Sequence, residues 1–167
     1  MTSARVPKLR IACADDYPTI AAEVDAALLD LSGNLPGHVQ CVGCSDRYSY
    51  WKHWPCLLPQ HGPGRKHERP IVLAGWQREL MVADPWPLIR GLVHSDGCRA
   101  INRVVVNGKT YSYPRYFFSN TSSDILAIMG EALDLAGVAW RFNRPTSISV
   151  ARRSAVAAMD ARIGPKR

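Results

Sequence analysis

The sequence has no long apolar run. No stretch approaches the roughly 18 consecutive apolar residues that a membrane-spanning helix requires. The first ten residues, MTSARVPKLR, also lack the apolar core of a secretory signal peptide. These two absences predict a cytoplasmic protein without a membrane-spanning segment.

The sequence holds five cysteines, an odd number. In a chain without an export signal, such cysteines are more typical of free thiols or metal ligands than of a disulfide framework. One set of side chains has spacings compatible with a structural zinc ion: Cys41, Cys44, His53 and Cys56, with His61 and His67 beyond. A strand would place Cys41 and Cys44 on opposite faces unless the chain turns at Gly43. Zinc therefore stays an alternative, as does a histidine-metal nuclease centre in the same stretch.

Acidic residues are nearly absent from the C-terminal part. Residues 141–167 hold seven Lys or Arg and one acid, Asp160, whereas residues 11–30 hold five acids and no Lys or Arg. The net charge of +7 is therefore concentrated rather than spread. A localised basic surface fits a polyanionic partner, with nucleic acid as the first expectation and an anionic membrane surface as the second.

The hydrophobic pattern of the first half predicts both strands and helices. With 167 residues and 47% hydrophobic composition, the chain can bury a core as one domain or as two small lobes. A strand is predicted over 8–13, and a capped helix with apolar residues at helical spacing follows it up to Gly33. Further β-rich segments reach residue 51, and a connector rich in proline and histidine is expected over 52–83.

The second half begins with a helix that Asp84 can cap. Two strands then flank Asn107-Gly108, a pair suited to a type I′ hairpin turn. A capped amphipathic helix, a short hairpin and a last helix follow. Residues 84–163 are thus predicted to run helix, strand, strand, helix, strand, strand, helix, before a basic tail at 164–167.

The two halves contain signs of an internal repeat. The segments LDLSG at 29–33 and LDLAG at 133–137 each close a helix that follows a strand and a polar cap, at an offset of 104 residues. Residues 1–51 are therefore interpreted as a partial first repeat. At this offset the counterpart of Asp96 would precede Met1. We expect the missing helix either upstream of this start or lost from a truncated remnant.

Residues 89–97, IRGLVHSDG, resemble the LAGLIDADG motif of homing endonucleases. The match includes the apolar first position, a Gly-Leu-apolar triplet, a small residue before Asp96 and the final Asp-Gly. The predicted order of helices and strands also matches, and NGKTYSYPRYFFSN and ISVARRSAVAAMD look like LAGLIDADG-type proteins common in actinobacteria. Two departures stand out: His94 replaces the first Asp of the motif, and a first copy of the motif is missing.

The resemblance implies an α+β fold, an αββαββα repeat whose saddle-shaped antiparallel sheet binds double-stranded DNA. It implies that Gly91 lets two such helices pack closely and that Asp96 binds Mg²⁺ or a similar divalent cation. Arg152 and Arg153 fall near the position of the family's basic residue at the cleavage site, which makes them catalytic candidates. Candidate DNA contacts lie on the two hairpins: Arg99, Arg103, Lys109, Arg115, Arg141 and Arg144.

Cleavage in that family uses two acidic motifs, and this chain offers one. A homodimer through helix 85–96 would bring Asp96 to its copy and give a metal-dependent DNA endonuclease. The alternatives are a non-cutting DNA-binding regulator and a zinc-stabilised interaction module. Alternation along the first strand places Arg99 and Arg103 on one face with Ile101 and Val105, so that this face is mixed.

Overall fold

The computed structural model describes residues 6–61, 69–164 and 166. His67 of the Cys/His set lies outside the described residues. The chain divides into two compact units, Met1–His61 with Lys166–Arg167 and Gly62–Pro165. Within the described part, none of the helices is long and apolar enough to cross a bilayer.

The first unit combines a helix with a three-stranded antiparallel sheet. Its elements are β1 (Lys8–Ala14), α1 (Pro18–Ser32), β2 (Gly37–Cys41), β3 (Cys44–Tyr50) and the short α2 (Trp54–Leu57). The strand order is β1-β3-β2. Pro18 starts α1, where its fixed φ suits the first helical turn. Gly33 ends the helix in the left-handed conformation at φ 70°, as the sequence predicts.

The second unit contains the elements α3 (Gly75–Ala83), α4 (Trp86–Asp96), β4 (Gly97–Val106), β5 (Lys109–Ser119), α5 (Ser123–Leu135), β6 (Arg141–Arg144), β7 (Ser147–Val150) and α6 (Arg153–Ile163). Its sheet is antiparallel, with the order β4-β5-β7-β6. From α4 onward the elements run helix, strand, strand, helix, strand, strand, helix. The α+β class with antiparallel sheets is therefore confirmed.

The hairpin of β4 and β5 has the predicted two-residue turn. Val106 pairs with Lys109, and the two residues between them, Asn107 and Gly108, have φ of 50° and 75°. A type I′ turn needs positive φ at both central residues, and Asn-Gly supplies it at little steric cost. At the start of β4, a Cβ on Gly97 would lie only 2.7 Å from a backbone atom of α4. Glycine therefore permits the abrupt change from helix to strand.

The core of the second unit lies between the helices and one face of the sheet. Tyr116 and Phe118 alternate along β5 and are buried beside Ile148 and Val150 of β7. The helices contribute buried apolar side chains at helical spacing: Ile89, Val93, Leu126, Met129, Leu133, Val156, Met159 and Ile163. Full burial of such a side chain contributes roughly 1.5–3 kcal/mol. This gain in free energy favours the orientation in which Tyr116 and Phe118 point toward the helices.

Both units share one strand topology. In each, a strand and a helix precede two further strands, and the last strand pairs between the other two: β1-β3-β2 and β5-β7-β6. The two helices are also followed alike, by Gly33 at φ 70° and Gly137 at φ 67°. The segments related by the 104-residue offset thus have the same order of elements.

α2 and α3 lie inside the segment that the sequence predicts to be a connector. The N–H of Ala74 donates to Gln77 Oε1 at 2.9 Å and so satisfies a backbone group at the start of α3. Met81 is the one residue of this nine-residue helix that is fully buried. So short a helix, with so narrow a buried side, leaves too weak a periodic signal for the pattern to predict it.

Candidate nucleic-acid interface

The face of the second sheet that points away from the helices carries basic and aromatic side chains at every second strand position. On β5 these are Lys109, Tyr111, Tyr113, Arg115 and Phe117. Their common orientation follows from the pleat, because Tyr116 and Phe118 point into the core and successive strand residues point to opposite faces. We call this surface, with the residues paired to it on the neighbouring strands, the open face.

The aromatic rings of the open face are accessible. Tyr111 and Tyr113 stack in parallel, with 6.3 Å between ring centroids and 10° between ring planes. They are 42% and 46% exposed. The guanidinium carbon of Arg115 lies 5.7 Å from the centroid of Phe117, within cation–π range. Exposed rings beside cations are the chemistry with which proteins contact bases and phosphates.

Acidic side chains are absent from β4, β5, β6 and β7, all of which the structure describes in full. The four strands instead hold six basic residues: Arg99, Arg103, Lys109, Arg115, Arg141 and Arg144. Arg141 and Arg144 are exposed on the edge strand β6 and pair with Ser149 and Ser147, so they share the open face. With Lys109 and Arg115 they give this face a positive potential that no strand carboxylate interrupts.

Arg99 and Arg103 lie on the opposite side of the pleat, the side that faces the helices where β5 pairs with β7. Arg99 pairs with Tyr116, and Arg103 pairs with Ser112 two residues further along the strand. Residues directly opposite each other in an antiparallel pair share a face, and Tyr116 is buried in the core. The six DNA contacts predicted from the sequence are therefore divided between the two faces, four on the open face and two on the other.

Arg99 is bound to Asp160 of α6 by two hydrogen bonds. Its Nε donates to Oδ1 at 2.7 Å and its Nη2 donates to Oδ2 at 2.9 Å. The hydroxyl of Tyr116 donates to the same Oδ1 at 2.7 Å. The hydrogen bonds from Arg99 hold the pKa of Asp160 below its usual value. Burial, with the bond to Asp160, raises the pKa of the Tyr116 phenol. This cluster links α6 to the hairpin.

Asp96 ends α4 and is exposed. The side-chain amide of Asn120 donates to Asp96 Oδ2 at 3.1 Å. Asn120 is held in turn, since its backbone N–H donates to the carbonyl of Thr146 at 3.1 Å. An open cavity of about 310 Å³ is lined by Asp96, Ser119, Asn120, Thr121 and Thr146. The Asp96 carboxylate therefore faces solvent beside the side-chain NH2 of Asn120 and among residues that carry hydroxyls, Ser119, Thr121 and Thr146.

A carboxylate beside hydroxyl groups suits a hard cation. Mg²⁺ is commonly held by one or two carboxylates together with waters and substrate phosphates, so a single carboxylate at Asp96 is compatible with it. Across residues 6–61, 69–164 and 166, no three side chains of His, Cys, Asp or Glu come together as a metal-binding group. Among the described residues, a cation at Asp96 would therefore have one carboxylate ligand, and its remaining ligands would be hydroxyl groups, water or a substrate phosphate.

Arg152 and Arg153 lie at the other end of β7 from Asp96. The cavity beside Asp96 includes Thr146, which immediately precedes β7. Arg152, by contrast, follows the last residue of β7 by two positions and caps α6. The four residues of β7 span about 13 Å. Within the second unit, the three residues predicted as catalytic are thus placed at two separate ends of a strand.

Gly91 lies on the exposed side of α4. A Cβ built at this position meets no atom of the described residues within 4 Å. The helix packs on its own unit through Ile89 and Val93, which point in another direction. Among the described residues, therefore, no second helix makes the close approach that was predicted for Gly91.

The Cys/His set is spread along the first unit. The turn at Gly43, with φ 74°, places Cys41 directly opposite Cys44. β3 then separates this pair from His53, the N-cap residue of α2, and from Cys56 within that helix. Its seven residues span about 23 Å. The predicted four-ligand zinc site is thus not assembled by the residues that the structure describes.

Tyr111, Tyr113 and Asp160 were not predicted to be functional residues. The alternation Lys-x-Tyr-x-Tyr-x-Arg over 109–115 is the signal that could have indicated the tyrosines, because it places them on one face with two cations. No local signal connects Asp160 with Arg99, since 61 residues separate them.

Comparison with known proteins gives no further guide, since no protein-family model and no curated protein matches this chain. Its function must be inferred from the residues and their geometry.

Proposed function

We propose that the second unit binds double-stranded DNA through its open face, in the manner of a LAGLIDADG-type protein. The charge of the open face carries this proposal, because it holds four basic residues, Lys109, Arg115, Arg141 and Arg144, and the four strands hold no acidic one. Duplex DNA has one negative charge per roughly 1.7 Å of its axis, so it is the natural partner for an extended cationic face. The order of helices and strands after α4 also supports the proposal, since it is the order that the resemblance implies.

The hairpin of β4 and β5 has the dimensions of a groove-binding ribbon. β4 has ten residues and β5 has eleven, but only Tyr116–Ser119 of β5 pair with β7. The ribbon built on 109–115 therefore extends about 23 Å beyond the four-stranded part. The major groove, about 12 Å wide, admits a two-stranded ribbon. In this arrangement Lys109 and Arg115 contact phosphates while the tyrosines lie against the groove.

The test compares two single charges on the same ribbon. Lys109→Gln removes a cation from the open face, and Arg103→Gln removes one from the other side. Fluorescence anisotropy with a labelled random-sequence duplex measures affinity across a range of salt concentrations. We expect Lys109→Gln to weaken binding and to reduce the slope of log K against log[salt] by about 0.9, the value for one lost phosphate contact. Arg103→Gln should have a smaller effect on both. Equal effects of the two variants, or binding that does not depend on salt, would contradict the proposal.

Cleavage is a second candidate function, favoured by the exposed carboxylate of Asp96 in a cavity that Ser119, Thr121 and Thr146 also line. A divalent cation held there would neutralise charge on a phosphate and lower the pKa of a bound water. Asp96 would hold the cation, Asn120 would fix the carboxylate, and a homodimer through helix 85–96 would supply the second carboxylate. Asp96→Asn should abolish Mg²⁺-dependent nicking of a plasmid and leave duplex binding intact. Nicking that persists in this variant would remove Asp96 from the reaction.

The separation of Asp96 from Arg152 and Arg153 favours the non-cutting alternative, a DNA-binding regulator. In that case the wild-type chain binds duplex DNA with the same dependence on Lys109 and shows no Mg²⁺-dependent nicking. The plasmid assay thus separates the two functions without affecting the binding proposal.

A further inference from the structure

A second cavity opens at the end of β7 that is remote from Asp96. It has a volume of about 500 Å³ and is lined by Ala139, Trp140, Arg141, Ser149, Ala151 and Arg152. These residues belong to the segment entering β6, the end of β7 and the start of α6. Ligand-binding cavities in proteins typically measure roughly 300–1,000 Å³, so a small polar group fits here.

Ser149 provides the most informative feature of this cavity. The residue is 1% exposed, and its hydroxyl has no hydrogen-bond partner among the described residues. Buried hydroxyls are nearly always paired, because an unpaired one loses its hydration without compensation. Ser149 pairs with Arg141 across the strands and lies on the open face. A ligand oxygen in the cavity would supply the acceptor that this hydroxyl lacks.

The other donors around the cavity are positively charged. Arg141 and Arg152 both line it and are exposed. Arg115 precedes Tyr116, whose partner on β7 is Val150, so it lies beside the same end of that strand. Its Nε is also buried without a partner among the described residues. Among the described residues that line the cavity, none is acidic. The surroundings therefore favour an anion.

The start of α6 adds backbone donors. Arg152 is the N-cap of this eleven-residue helix, it makes no side-chain cap, and the first turn holds no acidic residue. The first N–H groups of a helix have no partner within it, and the helix dipole places partial positive charge at this end. Helix N-termini of this kind bind phosphate and similar anions.

Trp140 gives the cavity a fixed apolar wall. Its indole Nε1 donates to Asp134 Oδ1 at 2.8 Å. Its ring lies against Gly130, where an added Cβ would come within 2.6 Å of Trp140 Cζ2. The ring is therefore held by α5 and need not move when the cavity is filled.

We propose that this cavity binds a phosphate group, with Ser149 and the N-terminus of α6 as hydrogen-bond donors and Arg141 and Arg152 as the cations. The phosphate is either free, on a mononucleotide, or part of a duplex backbone. In the last case the inference rests on the proposed DNA binding, because the cavity adjoins the open face.

Two-dimensional ¹H–¹⁵N NMR of the full chain tests the site with inorganic phosphate as the probe. Sodium phosphate replaces sodium chloride at constant ionic strength, and the indole N–H of Trp140, assigned with Trp140→Phe, is followed. We expect a saturable shift with phosphate and none with chloride. Arg152→Gln and Ser149→Ala should each weaken phosphate binding about tenfold, the usual effect of losing a hydrogen bond to a charged group. Arg153→Gln is the matched control, since the neighbouring Arg153 is exposed and does not line the cavity.

The thermal midpoint of Ser149→Ala provides an independent readout. Because the described residues offer this hydroxyl no hydrogen-bond partner, Ser149→Ala should unfold at the same temperature as the wild type or higher. Loss of a serine that makes a structural hydrogen bond would instead lower the unfolding temperature. The proposal would be overturned by the absence of a saturable shift, by an equal shift with chloride, or by equal weakening in Arg153→Gln. If Ser149→Ala does not fold, the phosphate affinity of Arg152→Gln decides the outcome.

Competition then identifies the source of the phosphate. A mononucleotide or a random-sequence duplex that binds more tightly than inorganic phosphate, with the same dependence on Arg152, identifies the larger ligand. Phosphate binding without duplex binding would refute the proposed DNA function and leave the cavity assignment standing. Duplex binding without phosphate binding would refute the cavity assignment and leave the proposed DNA function standing.

Discussion

Removal of the Asp160 carboxylate should destabilise the second unit. The side chains of Arg99 and Asp160 are 43% and 38% exposed, so solvent screens their ion pair and limits its contribution to about 1 kcal/mol. Tyr116 is 4% exposed, and its hydroxyl would lose its acceptor in Asp160→Ala at a cost of about 1 kcal/mol. We therefore expect Asp160→Ala to lower the free energy of unfolding by about 2 kcal/mol. Asp160→Asn keeps one acceptor oxygen and should lower it by about half as much.

The loss should depend on pH in a defined direction. The pKa of Asp160 is lowered in the folded protein, from a usual value of 3.8. A carboxyl with a lowered folded pKa stabilises the protein above its unfolded pKa, and this contribution disappears as the pH falls through the folded pKa. The difference between wild type and Asp160→Asn should thus be constant from neutral pH down to about 5 and shrink below about 4.

Urea unfolding followed by NMR measures this effect within the second unit. The methyl signals of Ile148 and Met159, both buried in its core, report its unfolding directly. Glu79→Gln on α3 is the matched control, because it removes an exposed carboxylate and should leave the midpoint unchanged at every pH. A wild-type midpoint for Asp160→Ala, or a difference that persists undiminished at the lowest pH, would refute the role assigned to the cluster.

Two glycine substitutions distinguish an open helix surface from a crowded one. Gly91→Ala meets open space, so the higher helix propensity of alanine should stabilise the monomer by about 0.5–1 kcal/mol in urea unfolding. If helix 85–96 packs closely against a second copy, the same variant should weaken self-association in sedimentation velocity, and unchanged association would remove that role for Gly91. Gly130→Ala places a Cβ 2.6 Å from Trp140 and should instead cost about 1–3 kcal/mol. A wild-type midpoint for Gly130→Ala would show that Trp140 is not held against α5.

Local features of the fold followed from short sequence signals. Asn107-Gly108 predicted the hairpin turn because few residues other than Asn and Gly adopt positive φ readily, and the turn is present. Ser122 caps α5 by accepting from the N–H of Ile125, as its place before an apolar periodic segment predicts. The order of elements from α4 to α6 was predictable for the same reason, since each helix and strand there has its own period and its own terminator.

Features that combine distant segments were not predictable. α3 buries too little surface to produce a periodic hydrophobic pattern. The Cys/His residues are close in sequence, but the extended strand β3 places the two cysteines far from His53 and Cys56. Spacing along the chain measures distance only when the conformation between two residues is given. Cys41 and Cys44 meet because a turn separates them, whereas a strand keeps both away from His53.

The sequence by itself determined that this protein has strands rich in basic residues, two of them joined by a tight turn. Local backbone preferences and charge are enough to predict these features without tertiary information. Only the tertiary structure decided which side of each strand faces the helices. That orientation follows from the burial of Tyr116 and Phe118. As a result Lys109 and Arg115 lie on the open face, whereas Arg99 binds Asp160. It also brought Ser149, Arg141 and Arg152 to one cavity and left Asp96 at the other end of β7. Side chains gain common function through packing between segments far apart in the chain, and that packing is absent from any local pattern.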